Sequence, residues 1–195
     1  MIGITELKKM YDNAWKLFVQ PPKRRYNPKE LSEDPTVILG NLMHVPFSVR
    51  NSKDQNLRCH AFIPTQTGDY KNLRTNFIIY AHSQGSNALE GSFLLPVCDK
   101  LGIGLCLFDF AGSGNSDGEY VTLGASEADD LDLVIYYLQT NYKVQKVGLW
   151  GRSMGAVAVL LYASTPSADI TCAVYDVPYY DLQSSGVHFA KNKLK

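Results

Sequence analysis

The sequence lacks any excess of charge. Lysine and arginine number 19, the same as aspartate and glutamate. A balanced chain has no electrostatic footprint for nucleic acid, so no nucleic-acid partner is expected. Cysteine is scarce: Cys59, Cys98, Cys106 and Cys172 are the whole set, and none falls in a C-x-x-C pair. That argues against a zinc site or a disulfide framework and leaves buried free thiols as the reading. No apolar run approaches the length that spans a bilayer. Residues 1 to 9 show no basic stretch leading into an apolar core, and no N-x-[ST] acceptor occurs. These absences predict a cytoplasmic protein without a strong membrane signal. No Walker pattern is present, and the G-x-G at Gly112 and Gly114 has Asp117 where a third glycine would stand, which argues against a nucleotide site.

What is present is a globular composition, 45% apolar and 19% charged over 195 residues. That suits one domain with a full core. We expect an N-terminal extension at 1–35, a core at 36–182 and a tail at 183–195. Ile4, Leu7, Tyr11, Ala14, Leu17 and Phe18 line one face of a helix over 3 to 20 that could lie on a protein or a membrane surface, the mixed charge of its polar face favouring protein; Pro21 and Pro22 stop it. Two strands near 42–49 and 57–63 flank a polar turn and read as a hairpin. From residue 76 onward the order becomes strand, helix, strand, helix, strand, helix, strand. The strands fall near 76–81, 103–109, 147–150 and 170–175, and the helices near 88–101, 125–139 and 156–163. Asn87 or Ser86 should cap the first of these helices. Such alternation predicts an α/β fold with a mostly parallel sheet covered by helices on both faces, and with the hairpin adding antiparallel strands at one edge. Ligands should gather where the parallel strands end, at loops 82–87, 109–118 and 151–155.

The last of these loops reads Gly151-Arg152-Ser153-Met154-Gly155 between an apolar strand and an apolar helix. This is G-x-S-x-G in the strand–turn–helix setting that a nucleophile elbow needs. A Cβ at either glycine would collide with the neighbouring strand and helix. Ser153 is therefore the candidate nucleophile. The backbone amide of Met154, at the helix start, is one candidate oxyanion donor, and that of Gln84, in the loop after the first parallel strand, is the other. Each such donor is worth ~3–4 kcal/mol of barrier. His82 leads that same loop and reads as a support for its backbone, not as the base. Asp109 reads as a brace for the loop.

His82-Ser83-Gln84-Gly85, DFAGSGNSDGEY from 109 to 120 and GLWGRSMGAVAVLLY from 148 to 162 together resemble the α/β-hydrolase superfamily, nearest its serine-aminopeptidase-like and esterase-type branch. The resemblance runs from about 21 to 182. It implies a serine hydrolase of small-molecule esters, thioesters or amides, with no metal or organic cofactor. The family commonly has glycine where this chain has Ser83. It also places its acid and its histidine after later strands, and the residues beyond Asp176 are too few for two more strand–helix units. We therefore expect the last strands to be missing and activity to be impaired. Ser153, Asp176 and His188 are in the usual chain order, so an improvised acid and base are available in principle. The strand at 170–175 would be an open sheet edge that invites self-association or a partner. The alternative is a non-catalytic binding or scaffold protein on the same fold.

Overall fold

The computed structural model describes residues 6, 16, 18–31, 40–65, 75–142 and 144–181. Six strands form one sheet in the order β1-β2-β4-β3-β5-β6, with β1 Leu42–Arg50, β2 Asn56–Pro64, β3 Asn76–Ala81, β4 Gly104–Phe108, β5 Lys146–Arg152 and β6 Cys172–Asp176. The expected hairpin is there. β1 pairs antiparallel with β2, and β2 antiparallel with β4. The remaining pairs, β3 with β4, β3 with β5 and β5 with β6, are parallel.

Helices cover both faces. Helices α2 (Ala125–Tyr142) and α3 (Met154–Ala163) enclose one core with Phe77, Ile79, Phe108, Leu149 and Val159. The other core holds Phe62, Tyr80, Leu105 and Leu107 beneath a 3-10 helix, Ala88–Leu94, and α1, Leu95–Leu101. Burying each such large side chain contributes ~1.5–3 kcal/mol, which anchors both layers to the sheet.

The sequence suggested a single helix over 88–101, but the structure divides it at Leu95. Pro96 in the first turn of α1 has no N–H to donate back, so the regular ladder cannot cross it. Asn87 caps the first part, its side chain accepting from the Leu89 amide at 3.0 Å. The reading of all cysteines as buried also needs correction. Cys59, Cys98 and Cys106 are buried, but Cys172 is exposed. It lies on β6, which among the described residues pairs on one side only, and whose Val174 is 44% exposed. The helix expected over 3 to 20 lies mostly outside the described residues. Its end is visible, with the Gln20 amide on the Lys16 carbonyl at 2.7 Å.

Candidate active site

The parallel register determines what meets at the site. Ala81 on β3 stands opposite Gly151 on β5, and Arg152 stands opposite Asp176 on β6. The three strands therefore release their loops side by side. Ser153 sits in the bend between β5 and α3 with φ 50° and ψ −111°, a conformation that L-residues rarely adopt. Its amide donates to the Asp176 carbonyl at 2.9 Å, which ties the bend to β6. A Cβ on Gly151 would lie 2.4 Å from the Gly155 carbonyl oxygen. One on Gly155 would lie 2.0 Å from the Ala81 carbonyl oxygen and 2.8 Å from that of His82. The start of α3 is thus pressed against the start of loop 82–87, and only glycine allows it.

Strain of this kind costs ~1–3 kcal/mol at a non-glycine residue. Replacing Ser153 by glycine should therefore raise stability by about 1 kcal/mol, after subtracting glycine's own entropic cost, while removing the hydroxyl. Urea denaturation of wild type and Ser153→Gly checks this.

Met154 opens α3, where the first amides have no carbonyl inside the helix to bond. Gln84 lies in the turn closed by the Ser86 amide on the Ser83 carbonyl at 3.1 Å. Its side-chain amide donates to the Phe18 carbonyl, so the backbone amide is the group left for an oxyanion. His82 is fully buried and commits both ring nitrogens to backbone. Nε2 accepts from the Phe110 amide at 3.2 Å, which makes Nδ1 the protonated nitrogen, and Nδ1 donates to the Ser83 carbonyl at 2.8 Å. It supports two loops, as its place in the sequence suggested. Asp109 braces them as expected. Its carboxylate accepts from the Ala88 amide at 2.7 Å, the Asn115 amide at 2.8 Å and the Tyr26 hydroxyl at 3.1 Å. Burial raises the Asp109 pKa, and these hydrogen bonds pull the other way.

The structure thus brings Ser153, Met154, Gln84 and Asp176 to one end of the sheet. His188 lies outside the described residues. The Asp176 carboxylate faces Arg152, with Oδ2 at 3.6 Å from Nε.

Three groups around the elbow left no mark in the sequence pattern. Arg152 also approaches Glu90 Oε1 at 3.9 Å. Glu90 in turn accepts from the Tyr80 hydroxyl at 3.1 Å, the Ser83 amide at 3.2 Å and the Ser83 hydroxyl at 2.7 Å. Burial alone would raise the Glu90 pKa. Hydrogen bonds from Ser86, Ser83 and Tyr80 outweigh it and hold the carboxyl below its ordinary range. The third group is segment 18–31, which comprises the end of the N-terminal helix, an irregular stretch over 21–27 and a 3-10 turn, Pro28–Leu31, and meets the loops. The Phe18 and Arg24 carbonyls accept from the side chains of Gln84 and Asn87, and the Tyr26 carbonyl accepts from that of Asn115. These contacts span 60 residues or more of sequence, which no local period can announce.

A cavity of about 510 Å³ lies over the hairpin, between Pro28, Pro46, Arg58, His60 and Asn115. Ser153 is not among its lining residues. The strained serine at the end of β5, not this cavity, marks the candidate site. Among the described residues no group of three or more His, Cys, Asp and Glu side chains could hold a metal ion, and no helix is long and apolar enough to cross a membrane.

A family model described as serine aminopeptidase, S33, matches residues 97–194, half of the chain. The chain belongs to this family of α/β-hydrolases. Its curated relatives include the uncharacterized protein YqkD of Bacillus subtilis, 34% identical over 96 residues that make up 48% of this chain and 31% of that protein. Among solved structures it is similar to the esterase Pf2001 of Pyrococcus furiosus, with a TM-score of 0.68 and 26% identity over 88% of this chain and 64% of that one. The α/β-hydrolase GrgF of a Penicillium species shares the fold, with a TM-score of 0.61 at 18% identity over 78% of this chain and 53% of that one. The S33 chain described here spans less than two thirds of the length of each of these relatives.

Proposed function

We propose that this S33 family member is a serine hydrolase that cleaves ester, thioester or amide bonds through an acyl-enzyme on Ser153. The observation that carries the reading is the strained Ser153 between two glycines that no other residue can replace. In this reading its hydroxyl stands at the tip of β5, and the backbone amides of Met154, at the start of α3, and of Gln84, in loop 82–87, serve as the oxyanion donors. In this reading Ser153 Oγ attacks the substrate carbonyl carbon, and its proton passes to a base. The carbonyl oxygen gathers negative charge between the two amides. The intermediate collapses to an acyl-serine as the alcohol, thiol or amine leaves with a proton, and water then releases the acid. The esterase likeness favours esters as the first substrates to try.

Asp176 and His188 are the acid and base that this chain itself offers. His82 is not free to serve, because both its nitrogens hold backbone. A second reading, a binding protein that does no chemistry, draws support from the Arg152–Asp176 pair, which engages the carboxylate that a histidine would need. Turnover by the chain as it stands is therefore expected to be impaired.

The test is hydrolysis of p-nitrophenyl acetate, a short acyl thioester and an amino-acid anilide by wild type and Ser153→Ala. The hydrolase reading expects a wild-type rate above background that falls to background in the variant. Equal rates in the two folded proteins would favour the binding reading.

A further inference from the structure

Ser83 is pinned on both sides. Its amide and hydroxyl both donate to Glu90 Oε2, and its carbonyl accepts from His82 Nδ1 and from the Ser86 amide. That carbonyl belongs to the same planar peptide unit as the Gln84 N–H. In a trans peptide the two point in opposite directions, so fixing the carbonyl aims the N–H. Glu90 Oε1 also takes the Tyr80 hydroxyl from the end of β3 and faces Arg152 in the elbow. One carboxylate thus joins β3, the oxyanion loop and the approach to the nucleophile.

We propose that Glu90 is a positioning residue, which aims the Gln84 amide at the oxyanion by holding Ser83 in place. This rests on the hydrolase reading above. It also makes a prediction opposite in sign to simple electrostatics. A carboxylate near a developing oxyanion should slow the reaction, so deleting its charge should speed it. Positioning says the reverse. The amide of Glu90→Gln has one acceptor oxygen and cannot receive Tyr80 on one oxygen and Ser83 on the other.

The experiment follows wild type, Glu90→Gln, Glu90→Ala and Ser83→Ala in the full chain. It combines amide hydrogen exchange with the rate at which a fluorophosphonate probe phosphonylates Ser153, and with kcat and KM on a neutral ester. We expect faster exchange confined to peptides covering 82–90. Phosphonylation and kcat should fall about tenfold in Glu90→Gln and further in Glu90→Ala, short of the 10²–10³ that losing a donor outright costs. KM should stay within about twofold, because the contact acts on the oxyanion and not on ground-state binding. Ser83→Ala, which keeps the Ser83 amide contact and leaves Glu90 in place, should show a smaller effect of the same kind. Unchanged exchange over 82–90 in folded Glu90→Ala would overturn the proposal, as would a Glu90→Gln rate equal to or above wild type. A wild-type chain that takes up no probe would count against the hydrolase reading alone, and the exchange result would then decide for or against Glu90.

Discussion

Replacing Gly155 by alanine should destabilise the protein by about 3 kcal/mol or more and abolish any chemistry at Ser153. The added Cβ would lie 2.0 Å from the Ala81 carbonyl oxygen and 2.8 Å from that of His82. Both are backbone atoms at the end of a central strand, so neither can swing aside. The start of α3 must retreat from β3, and Met154 and Ser153 retreat with it. Gly102→Ala is the control. Gly102 has φ +63° but nothing within 4 Å of an added Cβ, so only its left-handed conformation is at stake. That costs ~1 kcal/mol. Urea midpoints of the two variants should differ accordingly. A Gly155→Ala protein as stable as Gly102→Ala would mean that β3 and α3 are not in contact as described.

Acid should weaken the fold well above the pH at which ordinary carboxylates titrate, and His60 should be the reason. His60 is 3% exposed in a chain of polar contacts that ends on Asp109. The Tyr26 hydroxyl donates to Asp109, so His60 Nε2 must donate to Tyr26, at 2.9 Å. Nδ1 is then the acceptor for His44 Nε2–H, at 3.0 Å. Burial, and to a smaller degree the neighbouring His44, lower the His60 pKa from 6.5 to about 4. The unfolded chain therefore binds a proton near pH 6.5 that the folded chain refuses until about pH 4. Stability falls as pH drops through that window, by up to about 1.4 kcal/mol per pH unit and about 3 kcal/mol in all. His60→Gln, which cannot take up the proton, should flatten the dependence of the urea midpoint on pH between 6.5 and 4. An equally steep fall in the variant would assign the acid sensitivity to other groups.

Much of this architecture could be read from residue order. The alternation of apolar runs after residue 76 implied the parallel sheet, and the polar turn near residue 51 implied the hairpin. Ser153, His82 and Asp109 were legible because a tight strand–turn–helix bend restricts which residues can occupy it. What escaped is of a different kind. Glu127 and Asp130 stand in the first turns of α2, where exposed acidic residues suit a helix N-terminus. Both are in fact buried. Glu127 collects the amides of Thr122 and Gly124, and Asp130 collects the Ala111 amide and the Asn51 side chain. Glu90 and Arg152 escaped for the same reason. Which amide, hydroxyl or carboxylate a polar side chain meets leaves no period in the sequence, whether that partner is three residues away, as for Glu127 and Gly124, or on another strand, as for Arg152 and Asp176, since it is fixed only by the finished fold. Cys172 looked like a core strand residue because strand patterning reports a pleat and not whether a neighbour covers it. Ser83, which departs from the family's usual glycine, has a stated use only once Glu90 is seen beside it.

The central claim is that Ser153 is an activated nucleophile at the tip of β5. The most direct measurement is to treat the folded chain with a fluorophosphonate and map the adduct by peptide mass. The account predicts a single phosphonylated residue, Ser153, with no adduct in Ser153→Ala. A folded wild-type chain with no adduct at Ser153, or with labelling spread over other serines, would contradict it.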